Sequence, residues 1–122
     1  MTDRSLVAIS EHLPSLTHLW CEKNDAVTDD GIEKLVAKCH SIRCIGISWC
    51  PSITDRSIQS IADHCPALET LSVDDNELVT AVSLEALGHK CRKLKYVFIS
   101  GIEVSVEDKE SLEDRFPSIF QY

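Results

Sequence analysis

The chain has 122 residues, 43% of them apolar and 26% charged, which suits one folded domain with no low-complexity or disordered composition. A net charge of −8 argues against nucleic acid and against an anionic membrane surface as partners, because both call for a positive field. No apolar run approaches the ~20 residues that cross a bilayer. Met1–Leu6 lacks the apolar core of an export signal, so a reducing cytoplasmic or nuclear setting is expected.

In chain order, residues 1–15 read as the second half of a repeat, with Leu6, Ile9 and Leu13 on one helical face. The first full unit, 16–41, opens with Leu16, Leu19 and Cys21 in an L-x-x-L-x-L skeleton, whose last two apolar positions alternate as in a strand. Asn24 stands where the chain must turn and can satisfy backbone groups there. Thr28, or Asp29 after it, caps a helix whose apolar face is Ile32 and Leu35 and whose end is Cys39. The pattern returns 26 residues later in unit 42–67, through Ile42, Ile45, Ile47, Cys50, Ile53, Thr54, Ile58, Ile61 and Cys65, where Pro66 stops the helix. Unit 68–93 repeats it again through Leu68, Leu71, Val73, Asn76, Val79, Thr80, Leu84, Leu87 and Cys91. Residues 94–122 keep Leu94, Val97 and Ile99, then lose one residue and carry Ile102 and Val104-Ser105-Val106 at the turn. That degenerate unit reads as a cap, and Ile119–Tyr122 falls where a fifth strand would begin. One strand and one helix per unit cannot bury an apolar face alone, so the units must stack, strands in a parallel concave sheet and helices on the convex side.

The unit L-x-x-L-x-L-x-x-C/N-x-x-I-T-D-x-x-L-x-x-L-x-x-x-C, best seen in Ile45–Asp55 followed by Cys65-Pro66, resembles the cysteine-containing leucine-rich repeats of F-box/leucine-rich-repeat proteins and of antagonists of mitotic exit. The resemblance covers nearly the whole chain. It implies an α/β leucine-rich-repeat solenoid, a right-handed β-α superhelix of the ribonuclease-inhibitor kind with about four and a half repeats. It also implies a protein–protein interaction module of a ubiquitin-ligase-related protein, one that presents substrates. The chain itself contains no F-box. The alternative reading is a structural or assembly subunit that uses its open ends or convex helices.

Six cysteines suggest a disulfide framework only in poorly cored secreted domains. Here Cys39, Cys65 and Cys91 share one repeat position and are expected to form a buried ladder, free Cys being a small hydrophobe. Zinc would need four converging ligands, which the spacing of Cys39, Cys44 and Cys50 does not supply. Asp25, Asp29 and Asp30 lack the spacing of a calcium loop. His18 near Glu22 has no nucleophile motif beside it and there is no phosphate loop. No enzyme activity, metal or cofactor is therefore expected, and the partner is another protein.

The candidate binding surface is the concave face. Its outward rows are His18, Cys44, Thr70, Tyr96, then Trp20, Gly46, Ser72, Phe98, then Glu22, Ser48, Asp74, Ser100. With strands ~4.8 Å apart, Trp20 and Phe98 should stand on the order of 14 Å apart as walls of a shallow trough with an acidic edge. Tyr96 flanks Phe98, and Trp49 follows the second strand, either adding to the site or packing onto the next turn. The site thus comprises His18, Trp20, Glu22, Ser48, Trp49, Ser72, Asp74, Tyr96 and Phe98. Asp74-Asp75-Asn76-Glu77 leaves a strand on the binding edge, as a solvated loop or as a contact for a basic partner.

Overall fold

A computed structural model describes residues 1–122 as five helices alternating with five short strands. The order is α1 (Asp3–His12), β1 (His18–Trp20), α2 (Asp29–Lys38), β2 (Cys44–Gly46), α3 (Asp55–His64), β3 (Thr70–Ser72), α4 (Ala81–Lys90), β4 (Tyr96–Phe98), α5 (Val106–Arg115) and β5 (Phe120–Gln121). The strands form one parallel sheet in chain order. Pairing steps by one repeat, so Leu19, Ile45, Leu71 and Val97 lie side by side. All four are buried, as are Cys21, Ile47, Val73 and Ile99 two residues on. The helices close the core from the other side with Ile32, Leu35, Ile58, Ile61, Leu84 and Leu87. Each such side chain contributes about 1.5–3 kcal/mol by leaving water. The C-terminal segment adds the fifth strand expected there, in register with β4.

Polar side chains tie the units together through contacts that run one repeat along. The carboxylate of Asp3 accepts from the Thr28 amide (2.8 Å) and hydroxyl (2.5 Å). Asp29 does the same for Thr54 at 3.0 and 2.6 Å and also accepts from the Ser57 hydroxyl at 2.6 Å. Asp55 accepts from the Thr80 amide and hydroxyl and from Ser83. The sequence offered Thr28, or Asp29 after it, as the cap of its own helix. Instead each of these aspartates sits in the first turn of one helix and secures the start of the next. Thr28 and Thr80 consequently spend their hydroxyls on the carboxylate and cap nothing, while Thr54 both donates to Asp29 and accepts from the Arg56 amide.

A second ladder runs through the turn. Cys50 Sγ donates to the Cys21 carbonyl (3.1 Å), and Asn76 Nδ2 donates to the Ile47 carbonyl (2.7 Å), the equivalent atom one repeat on. Cys and Asn alternate at this position because both can donate to a buried carbonyl. Asn24 turns its Oδ1 to the Ala26 amide of its own loop. A third ladder lies at the helix ends, where Cys39 Sγ donates to the Leu13 carbonyl and Cys91 Sγ to the Cys65 carbonyl, both at 3.5 Å. Burial raises Cys65 to about 12 and Cys91 to about 11, which keeps both protonated. All six cysteines are free, and all but Cys44 are buried.

The aspartate ladder stops where the sequence stops supplying it. Ala81 occupies the place of Asp55, and the next unit, one residue shorter, starts at Ser105, which caps its own helix through the Asp108 amide. Helices α1 to α4 pack side by side, whereas α5 does not pack on α4 in that way. Phe116 instead lies against Gly88, where an added Cβ would meet the ring at 2.7 Å.

Asp29 therefore holds three donors in a buried site. Burial pushes its carboxyl up, and the hydrogen bonds of Ser57 and Thr54, with the charge of Arg56, outweigh that and hold it below its usual value of 3.8. Asp29→Ala should cost about 2–3 kcal/mol in urea unfolding, since it strands donors to a charged acceptor. The stabilisation from Asp29 should be complete above its unfolded pKa and fade as pH falls through the lower folded value.

Candidate functional site

The pairing that stacks the core also lines up the outward side chains. His18 lies beside Cys44, Thr70 and Tyr96, and Trp20 beside Gly46, Ser72 and Phe98. The two rows expected from the sequence are thus formed in register. Trp20 is 55% exposed, Tyr96 51% and Phe98 39%. Tyr96 and Phe98 stack, with ring centroids 6.3 Å apart and planes inclined by 26°.

The trough differs in shape from the expectation. A Cβ on Gly46 would stand 1.8 Å from Trp20 Cε3 and 2.1 Å from Cζ3, so the indole lies over the glycine instead of rising as a wall. Gly46 is needed here for the space it leaves, and Trp20 fills part of the small-residue floor. The ring still shows half of its surface, so the face is a low aromatic platform running from Trp20 to the Tyr96–Phe98 stack.

The remaining predicted residues divide by burial. Ser48 and Ser72 are buried and bonded to each other through their hydroxyls at 2.7 Å, and Ser48 Oγ also accepts from the Asp74 amide at 2.9 Å. They fix the spacing of β2 and β3 and offer little surface. Asp74 is half-buried, and its carboxylate accepts from the Ser100 amide at 2.7 Å, one repeat along. His18 and Glu22 are exposed at the edge of β1, the His18 ring bonding to the Thr17 hydroxyl at 2.9 Å.

Trp49 lies off the sheet. It is 55% exposed and takes a left-handed backbone with φ of 58°. The same conformation recurs at Lys23, Asp75 and Gly101, the equivalent residue of each unit. Only Gly101 signals it in the sequence, since glycine takes positive φ without steric cost. At this edge Trp49, Pro51 and Leu78 join Asp25, Asp75 and Glu77 around an open pocket of about 460 Å³. The sequence reading missed Asp25, Pro51 and Leu78 as neighbours of Trp49, because they come together only when successive turns stack.

At the opposite edge Glu69 sits between Arg43 (2.5 Å) and Lys95 (2.9 Å), again one repeat apart on either side. Its hydrogen bonds to Arg43 and then Lys95 lower its pKa to about 2.

No protein-family profile matches the chain, and no curated protein sequence matches it. Solved structures do match. A chain of the Rad7 and Elc1 complex of yeast superposes with a TM-score of 0.82 at 19% identity over 97% of this chain. This chain spans 31% of the length of that one. The tropomodulin C-terminal domain of Caenorhabditis elegans superposes with a TM-score of 0.67 at 13% identity, covering 97% of this chain and 93% of that domain. At such identities the likeness establishes the fold, an α/β repeat with a parallel sheet on one side and helices on the other.

Gly46→Ala should lift the Trp20 indole from the sheet. The Trp20 side-chain N–H resonance should move in a nitrogen–proton correlation spectrum while circular dichroism stays native, and an unmoved resonance would contradict this packing.

Proposed function

We propose that the chain is a protein-binding module of the cysteine-containing leucine-rich-repeat kind, and that the concave platform of Trp20, Tyr96 and Phe98 is its recognition surface. The observation that carries this reading is the exposure of three large aromatic side chains on a sheet whose core is complete without them. Exposed aromatics reduce solubility unless they are used, and Trp and Tyr are common anchors in interfaces. The sheet beneath them is rigidly tied, so binding would lose little conformational entropy.

The finer reading is substrate recognition in a ubiquitin-ligase-related protein. It is supported by the resemblance of the repeat to F-box/leucine-rich-repeat proteins and by the fold shared with a chain crystallised in the Rad7–Elc1 complex. On this reading the chain binds and does not catalyse, in an intracellular setting. The assembly-subunit alternative draws on Val82 and Val106, which are strongly exposed on the helical side.

The test is a pull-down with the purified chain beside a Trp20→Ala, Phe98→Ala double variant of native circular dichroism. The partner should be lost from the double variant, since truncating each anchor costs about 2 kcal/mol, roughly 30-fold in affinity. A partner retained by the double variant but lost on Val82→Asp, Val106→Asp would replace this reading with the assembly one.

A further inference from the structure

The charges of this protein are distributed unevenly around the stack. Arg43 and Lys95 are engaged with Glu69, Arg56 with Asp30 and Glu33, Lys90 with Asp63, and Arg115 with Glu85. Asp3, Asp29 and Asp55 are consumed by the inter-repeat ladder. At the loop edge, Asp25, Asp75, Glu77 and Glu103 have no ion-pair partner, although Lys23 belongs to the same row of turns. Three of them rim the pocket floored by Trp49, Pro51 and Leu78, and Glu77 continues with Glu103 into the neighbouring depression. Trp49 and Leu78 are each a little over half exposed there.

This combination selects its ligand. An anionic rim repels phosphates and carboxylates. The acids form no converging group able to hold a metal ion. A purely apolar segment would bury carboxylates beside it without compensation, which is costly. An arginine meets every requirement: its planar guanidinium stacks on an indole face, its methylenes cover apolar surface, and its five N–H donors reach carboxylates on several sides.

We propose that this loop-edge pocket receives an arginine of a basic segment in the protein partner, with the guanidinium on Trp49 and its charge met by Asp25, Asp75 and Glu77. The proposal rests on the protein-binding reading for the nature of the partner, but it places a separate anchor outside the concave platform. It also gives the net charge of −8 a use, because an acidic edge speeds the encounter with a basic partner.

The chain contains two tryptophans, so its side-chain N–H spectrum reports the two surfaces separately. The probe is a capped pentapeptide, Ala-Arg-Leu-Arg-Ala, added to the labelled full chain, with Ala-Gln-Leu-Gln-Ala as the control. The Trp49 resonance should move with the arginine peptide while Trp20 stays, and the glutamine peptide should move neither. Asp75→Asn, Glu77→Gln should weaken the response about fivefold, the effect of two partly screened charges. Asn accepts the left-handed backbone of position 75, so the turn survives this change. Raising salt from about 50 to about 300 mM should weaken binding as well. No movement of Trp49 at millimolar arginine peptide, or equal movement with the glutamine peptide, would overturn the proposal. Movement of Trp20 alone would overturn it while leaving the concave platform as the recognition surface. Conversely, a Trp49 response stands even if the Trp20→Ala, Phe98→Ala variant keeps its partner.

Discussion

The interaction on which this structure depends is a carboxylate at the start of one helix holding the amide and hydroxyl at the start of the next. A strand of three residues and a helix of ten have no stability alone, and the apolar face of each unit is buried only by its neighbours. Hydrophobic contact supplies most of that energy but is non-directional, so it does not set how far one unit slides along the next. Strand pairing sets it on the sheet side, and on the helix side the bonds of Asp3, Asp29 and Asp55 set it, because each demands a threonine at one position of the following repeat. The Cys50 and Asn76 bonds fix the turn in the same sense. Where Ala81 removes the carboxylate, the following helix leaves the row.

This directional stacking is what makes an exposed surface out of short strands. Once units are in phase, every outward side chain of a strand has a neighbour of the same repeat position, and a row becomes a surface property. The Tyr96–Phe98 pair stacks within one strand, while Trp20 reaches across to Gly46 of the next. The same phase brings Asp25, Trp49 and Asp75, each from a different turn, around one pocket. The outward face of the sheet is therefore aromatic, and the loop edge beside it is acidic. Glu69, by contrast, is neutralised by cations on both sides at the far edge. Exposed aromatic side chains and unpaired negative charge thus lie on adjoining surfaces.

The skeleton of apolar residues spaced by 26 was enough to place the strands, their order and the two outward rows, because periodic burial depends on residue type and spacing alone. The reach of polar side chains was less legible. Asp29 follows a helix-capping threonine, and local rules assign it to its own helix; only the stacked neighbour reveals Thr54 and Ser57 as its partners. Ser48 and Ser72 look like exposed strand residues, yet their mutual hydrogen bond and the surrounding side chains bury them. The lie of Trp20 over Gly46 depends on the ring's rotamer, which a sequence does not encode position by position. The left-handed turn at Lys23, Trp49 and Asp75 was hidden because non-glycine residues occupy it.

The most direct measurement is native-state amide hydrogen exchange at Thr28, Thr54 and Thr80. Each amide precedes a helix and has no backbone acceptor within its own unit, its only partner being a carboxylate one repeat away. If the carboxylate ladder locks the stack, these three amides should exchange as slowly as the strand amide of Val97, whereas that of Ser105, beyond the end of the ladder, should exchange quickly. Rapid exchange at all four, with the strands still protected, would show that strand pairing and apolar contact hold the stack without the carboxylate ladder and would contradict the account.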